Sequence, residues 1–216
     1  MTYIDLVNNV LRRLREDTVT TVNQTDYSLM VGDFINDAKR MCEDATDWSA
    51  LRRTLVVRTA DGTHNYVLTG SQNRGKILDV VNDTSNFFLE YRTAHEFNRK
   101  FLIDEPKKNS PRYYSFNGVT DDDEGDTQVD LFPIPDKEYV INFNMVIKQA
   151  DLSADTDRLK IPAQPVIHMA LAMLARERGE TGGTSTAEYF NIAQRYLSDA
   201  VAFDAAKHPE EMIWYS

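Results

Sequence analysis

The stretch from residue 162 to residue 204 constrains the fold most, because it contains two apolar helical patterns separated by a glycine-containing break. Pro162 and Pro165 favour the first turn of the first helix, and Gly179 favours its end. Ser185, followed by Glu188, is typical of the capping box that begins a second helix. The apolar positions of the two helices are Ile167, Ala170, Leu171, Leu174, Ala193, Tyr196, Leu197, Ala200 and Val201. Two helices alone cannot cover such broad apolar faces, so this αα-hairpin requires partners from elsewhere in the chain.

The first 53 residues supply these partners as two further helices. Thr2 and Asp5 indicate a helix start, and a stripe of apolar residues follows. Asp26 is the predicted N-cap of a second, longer helix. Its apolar positions are Met30, Phe34, Ala38, Met41, Ala45 and Trp48. The predicted helices of the whole chain are 3–16, 27–49, 162–178 and 184–206.

Between these helix pairs the apolar period changes to that of β-strands. About seven short runs rich in Val, Ile, Tyr and Phe lie between residues 54 and 148, and a short helix is predicted within residues 93–103. They are compatible with a sandwich, a small barrel or two sheets. The predicted fold is therefore α+β, with a four-helix bundle domain made of residues 1–53 and 149–216. An inserted, mostly antiparallel β-rich domain occupies residues 54–148.

Composition limits the classes of partner. With 42% hydrophobic residues, the 216-residue chain can bury a substantial core. It lacks the roughly 18 consecutive apolar residues of a membrane span, so no membrane association is expected. The formal net charge is −10 and no segment forms a basic arm, which argues against tight nucleic-acid binding. The single cysteine, Cys42, is predicted to be a small buried helix residue.

No recognisable pattern of catalytic or metal-ligating residues is present. The acidic run at residues 121–126 does not satisfy the calcium-loop pattern and is interpreted as a solvated turn. The four histidines lack a second His or Cys at ligand spacing, and His168 is interpreted as a structural histidine with a local hydrogen-bond partner. We therefore predict no catalytic residue, no metal and no cofactor.

The last residues of the sequence are unusually apolar. Met212, Ile213, Trp214 and Tyr215 must be covered by something, since large apolar side chains are rarely left in solvent. They either fold back onto the bundle or dock into a neighbouring subunit or partner, where Trp and Tyr are effective anchors. These four residues are the candidate interface with a neighbouring subunit or another partner.

Several segments together resemble a known family. They are TYIDLVNNVLRRLRED, DFINDAKRMCEDATDWSALRRT, SPRYYSFNG, QADLSADTDRLKIPAQPVIHMALAMLARERGETGG and the final WYS. In this order they are similar to the head-to-tail adaptors of tailed bacteriophages, also called head completion or connector proteins, and especially to the tail tubular protein A type.

This resemblance implies a structural, non-enzymatic virion protein of the neck or tail, assembled in the host cytoplasm. It implies a ring, twelve copies by analogy, that docks beneath the portal protein and extends the DNA channel. The helices would build the ring, and residues 54–148 would contact the tail tube or nozzle protein. DNA would pass through without specific binding, since acidic side chains repel phosphate.

Two other functions remain open at the level of sequence. Some adaptors of short-tailed phages cleave the cell wall, which normally requires an acidic catalytic residue in a cleft, and none is identified here. A monomeric host-interaction module is the second alternative, and it would not form rings at any concentration.

Overall fold

A computed structural model describes residues 1–72, 74–103, 107–121, 125–179 and 185–207. The protein is a mixed α+β chain that forms two compact units. Met1–Ala50 and Gln149–Ser216 make up the helical unit, and Leu51–Lys148 make up the β unit. Among the described residues, no helix is both long enough and apolar enough to span a membrane.

The helical unit is built around α4. Its long helices are α1 (Tyr3–Arg13), α2 (Asp26–Asp44), α4 (Ala163–Glu177) and α5 (Ser185–Ala206), and short 3₁₀ turns lie at Val22–Gln24 and Ser49–Leu51. The first of these turns precedes α2. Helix α4 packs against the other three long helices, and most of its residues are buried, which explains its nearly continuous apolar sequence. Gly179 follows α4 with φ +66°, the left-handed conformation that glycine adopts readily at helix ends.

The starts of the first two helices show how local chemistry sets their boundaries. Thr2 and Asp5 form the predicted capping box of α1. The prediction that Asp26 caps α2 is wrong, because Thr25 occupies the N-cap and exchanges hydrogen bonds with Ser28. The hydroxyl of Ser28 also donates to the carbonyl of Val22 at 2.7 Å, which ties α2 to the preceding turn.

Helix α2 ends five residues earlier than the sequence predicts, at Asp44. Trp48 lies beyond the helix and folds back so that its indole Nε1 donates to the carbonyl of Cys42 at 2.8 Å. This bond adds a side-chain donor to a carbonyl in the last turn of the helix, which also accepts the N–H of Ala45 at 3.4 Å. Trp48 is 1% exposed, so its apolar character reflects burial and not helical periodicity.

A buried ion pair holds the segment that returns to the helical unit at Gln149. The ammonium of Lys39 donates to the carbonyls of Gln149 and Ala150 at 2.6 and 3.1 Å, and it lies 3.7 Å from the carboxylate of Glu43. Glu43 accepts a hydrogen bond from the Gln149 N–H. Both side chains are fully buried on α2, so they fix the path of residues 149–151 along that helix.

The β unit contains two four-stranded sheets. The strands are β1 (Arg52–Arg58), β2 (Asn65–Val67), β3 (Lys76–Asn82), β4 (Phe87–Phe88), β5 (Glu90–Tyr91), β6 (Tyr113–Val119), β7 (Thr127–Phe132) and β8 (Val140–Val146). Their orders are β1-β8-β3-β4 and β2-β7-β6-β5. All neighbours are antiparallel except β5 and β6, which are parallel.

One hydrophobic core joins the two sheets. Phe143 of the first sheet and Val129 and Leu131 of the second are fully buried in the same cluster. The ring of Tyr114 on β6 meets that of Phe143 edge-on, with centroids 6.2 Å apart. Of the arrangements left open by the sequence, the described residues therefore form two sheets packed over a common core.

Residues 87–91 (FFLEY), one of the short apolar runs that the sequence predicts as strands, are divided between the two sheets. Leu89 donates its N–H to Val80 of the first sheet, and Glu90 donates to Arg112, the residue before β6 of the second. Because Leu89 is 6% exposed, its side chain fills the core at the point where the chain changes sheets. The predicted short helix follows as α3 (Ala94–Asn98), which continues into a π-helical turn, Arg99–Ile103.

The acidic run is only partly the solvated turn that the sequence predicts. Asp126 is 3% exposed, and its carboxylate accepts the backbone N–H groups of Gly70 and Gln72, both at 2.9 Å. Such bonds order a loop because hydrogen bonds to a charged acceptor are stronger than those to a neutral one. Residues 122–124 lie outside the described part of the chain.

Candidate interaction surfaces

The described residues contain no group of three or more His, Cys, Asp or Glu side chains that could hold a metal ion. Cys42 is fully buried, and burial followed by the charge of Glu43 raises the pKa of its thiol to about 12. A thiol in such surroundings is a poor nucleophile, as its interpretation as a small apolar residue requires. The candidate interface residues Met212, Ile213, Trp214 and Tyr215 lie outside the described residues.

His168 has a hydrogen-bond partner, but this partner comes from another helix, so the prediction of a local partner is wrong. The guanidinium Nη1 of Arg13, on α1, lies 2.9 Å from His168 Nε2. On its other side, the imidazole stacks on the ring of Tyr196 of α5, with centroids 4.2 Å apart and planes at 11°. His168 therefore links three helices, and its pKa is lowered because burial disfavours the charged ring and Arg13 repels it.

This geometry predicts a pH-dependent stability of the helical unit. Because the folded protein lowers the pKa of His168 below its ordinary value of 6.5, the unfolded chain binds more protons between these two values. The contribution of neutral His168 to the free energy of unfolding is fully present above pH 6.5. It is lost as the pH falls through the lowered pKa of the folded protein. Urea unfolding at a series of pH values should show this loss, and it should shrink in His168→Gln. His95→Gln, on the exposed face of α3, should leave the profile unchanged; equal flattening in both variants would contradict the assignment.

An apolar stripe on α5 is partly exposed, and one of its members, Tyr196, also stacks on His168 of α4. Ile192 and Tyr196 are each 41% exposed, and Phe203 is 71% exposed. At 100° per residue these three side chains fall within roughly 40° of one another around the helix. The buried Ala193 and Asp204 lie roughly a quarter turn away around α5, so the stripe flanks the buried side of this helix. We call it the α5 stripe.

A second apolar surface lies where α2, α4 and α5 meet. Its groove has a volume of about 510 Å³ and is lined by Phe34 and Met41 of α2, Met173 of α4 and Phe190 of α5. Asp37, Arg176 and Glu177 form its charged rim. We call this the α2–α4–α5 groove. Met41 is 47% exposed, so the groove is open to a partner.

The β unit has its own exposed apolar surface, on the side of the first sheet that faces away from the core. Val56, Asn142, Val81 and Phe88 are successive register partners across all four strands. Val56 is 58% exposed and Phe88 is 68% exposed, which leaves both ends of this row open. Exposed apolar side chains grouped in this way are typical of protein–protein contact sites.

Sequence reasoning missed all three surfaces, although one signal was present. Ile192 and Phe203 fall within roughly 40° of Tyr196 around α5, so a helical projection alone would have shown that the apolar surface of this helix extends beyond its buried side. The groove and the β row depend on how distant segments pack and pair, which a single sequence does not display.

The fold is that of a mixed α+β protein in which both compact units carry exposed apolar side chains. The SU10 adaptor protein family matches residues 1–211, and the chain belongs to that family. The protein is therefore a bacteriophage structural adaptor and a component of the virion. A search of curated proteins returned no match to the sequence.

Proposed function

We propose that the protein is a head-to-tail adaptor that forms a ring beneath the portal protein and provides the attachment surface for the tail. The helical unit contacts the portal and neighbouring subunits, and the β unit contacts the tail tube or nozzle protein. The ring contains twelve copies and extends the DNA channel. The helices α1, α2, α4 and α5 act as a four-helix bundle, and the protein functions in the manner of tail tubular protein A.

One observation carries this proposal beyond family membership: each compact unit has its own core and its own exposed apolar surface. The α5 stripe and the α2–α4–α5 groove belong to the helical unit, and the row from Val56 to Phe88 belongs to the β unit. A protein that joins two different structures requires separate contact surfaces. Two independently built units can supply them.

The charge of the chain suits a channel through which DNA moves. A net charge of −10 gives no general attraction for phosphate, whereas tight DNA-binding proteins gain affinity by neutralising phosphates with Lys and Arg. Acidic side chains around a channel would repel the DNA backbone and keep it mobile. Purified protein should therefore fail to retain duplex DNA in a filter-binding assay at low salt; retention with a steep salt dependence would oppose this role.

Light scattering tests the ring. The purified protein, the portal of the same phage and their mixture are each measured, and the mixture should gain the mass of about twelve adaptors per portal. No gain in mass would overturn the proposed assembly. A monomeric adaptor in the absence of portal agrees with the proposal, because binding to a template raises the local concentration of subunits.

The apolar end of the chain provides a second test. Deleting residues 213–216 should lower the number of adaptors bound per portal, since Trp and Tyr side chains commonly dominate the energy of an interface. Full occupancy by the truncated protein would remove the anchor role of these residues.

We propose no catalytic activity, and incubation of the purified protein with peptidoglycan tests this, because release of soluble fragments would identify a cell-wall-cleaving adaptor.

A further inference from the structure

We infer that the β unit binds the tail protein by strand addition, in which an extended segment of the tail protein pairs with the free edge of β1 and becomes an additional strand of the first sheet. This inference rests on the proposed contact between the β unit and the tail, and it names the edge and the kind of segment that the edge recognises. In strand addition, main-chain hydrogen bonds supply the affinity and the side chains of alternate residues supply the specificity.

The length of β1 singles it out among the sheet edges. It lies at one end of the order β1-β8-β3-β4, so only β8 pairs with it, and it is seven residues long. The strands at the other three edges of the described sheets, β2, β4 and β5, have two or three residues each. Short edge strands are one way in which proteins avoid pairing with other chains, and β1 lacks this protection.

The ladder between β1 and β8 sets the direction of the main-chain groups of β1. At one end, the N–H of Ile147 donates to the carbonyl of Leu51 at 3.0 Å. At the other end, the N–H of Thr59 donates to the carbonyl of Tyr139 at 2.9 Å. Residues of an antiparallel pair bond to the neighbouring strand alternately, so the even-numbered residues of β1 direct their N–H and C=O groups away from β8. Among these residues are Thr54, Val56 and Arg58. No other described strand pairs with this edge, so the groups are available to an extended segment.

The outward-pointing residues also carry their side chains on the outer face of the sheet. Val56 is 58% exposed, whereas the next residue, Val57, is 8% exposed and belongs to the core. Val56 begins the exposed row that ends at Phe88, so a strand added at β1 would extend this row by one position. An apolar side chain of the incoming segment at that position would pack beside Val56, because directly opposed side chains of paired strands are in contact.

The charge of β1 favours a different protein over a second copy of this chain. The strand contains three arginines and no acidic residue. Arg58 lies 3.0 Å from Glu138, but these side chains are 68% and 63% exposed, and such pairs contribute less than about 1 kcal/mol. Antiparallel pairing of two β1 strands about Leu55 would set Arg52 of one copy opposite Arg58 of the other, and like charges in that position are destabilising. That pairing would also be two-fold and join only two subunits, not a ring. The occupant is therefore a segment of the tail protein with acidic residues beside its apolar one.

A proline substitution tests the main-chain contact. Val56→Pro removes an N–H that points away from β8, so the variant should fold, since edge strands tolerate proline at such positions. Its binding to the purified tail tube or nozzle protein of the same phage should weaken by roughly tenfold or more, because a main-chain hydrogen bond is lost and the ring obstructs the incoming strand. Circular dichroism checks the fold, and calorimetry measures the binding.

Two variants control for other causes. Val67→Pro makes the same change at β2, an edge of the second sheet, where the N–H of Leu68 bonds to β7 and that of Val67 points away. It should bind the tail protein normally. Val56→Ala keeps the N–H and should lose less affinity than Val56→Pro. Equal loss in Val56→Ala and Val56→Pro, or none in Val56→Pro, would overturn the inference.

Hydrogen exchange provides a second measurement on the unsubstituted protein. In the complex with the tail protein, the amides of Thr54, Val56 and Arg58 should exchange roughly tenfold more slowly or less, because they become bonded to the added strand. The amides of β2 should exchange at their original rate. Binding without slower exchange at β1 would overturn the inference while leaving the proposed tail contact intact. If the tail protein does not bind at all, the proposed tail contact and this inference fail together.

Discussion

Replacing Lys39 by methionine should lower the free energy of unfolding by about 3–5 kcal/mol, the range found when one partner of a buried ion pair is removed. Lys39 and Glu43 are both fully buried, and the methionine would leave the Glu43 carboxylate without this cation. Two carbonyls, of Gln149 and Ala150, would also lose their ammonium donor. Urea unfolding followed by circular dichroism measures the change.

The neighbouring residue provides a matched control. Arg40 also pairs with Asp151, but its side chain is 48% exposed, and exposed ion pairs typically contribute less than about 1 kcal/mol. Arg40→Met should therefore have a small effect. The double variant Lys39→Met, Glu43→Gln should be more stable than Lys39→Met alone, because a neutral amide then replaces the fully buried carboxylate. A double variant that is less stable than Lys39→Met would show that charge burial is not the cause.

Helix positions were predictable from sequence because the information is local. The apolar period and the Thr2–Asp5 capping box place α1, and α5 (Ser185–Ala206) begins within one residue of its predicted start. The ends were less predictable, since a helix stops where its last carbonyls find other partners. Trp48 matches the apolar period of α2 in the sequence. In the structure it lies beyond the end of the helix and donates a hydrogen bond to the carbonyl of Cys42.

Strand existence was also predictable, whereas strand pairing was not. Alternating apolar residues identify each strand, but the choice of neighbour depends on segments far apart in the chain. Arg52, at the start of the β unit, pairs with Val146 of β8, near the end of the unit. Strand β3 pairs with the other edge of β8. The division of FFLEY at Leu89 follows from this long-range arrangement and leaves no local turn signal.

The functional surfaces were the least predictable feature. An apolar residue in a sequence is usually assigned to the core, and the sequence does not distinguish the exposed Phe203 and Phe88 from the buried Phe143. Only packing separates them. His168 was predicted to be a structural histidine. Its partners, Arg13 and Tyr196, lie on two other helices, so the sequence alone did not identify them.

The difference between buried and exposed phenylalanines predicts a second large loss of stability, in the β unit. Phe143→Ala should destabilise that unit by about 3–5 kcal/mol, because it removes a fully buried ring and leaves a cavity between the two sheets. Its ring packs against Tyr114 of the opposite sheet, so the loss affects contacts on both sides of the core. Urea unfolding monitored by tyrosine fluorescence or hydrogen exchange of β8 measures this change.

Phe88→Ala is the matched control, since it makes the same chemical change in the same sheet at a side chain that is 68% exposed. A surface substitution of this kind should alter stability by less than about 0.5 kcal/mol. If the row from Val56 to Phe88 contacts the tail protein, Phe88→Ala should nevertheless weaken that binding, because aromatic groups often dominate interface energies. A loss of stability as large as that of Phe143→Ala would show that Phe88 belongs to the core. Unchanged stability with weakened tail binding would show that Phe88 serves binding, whereas Phe143 serves the stability of the β unit.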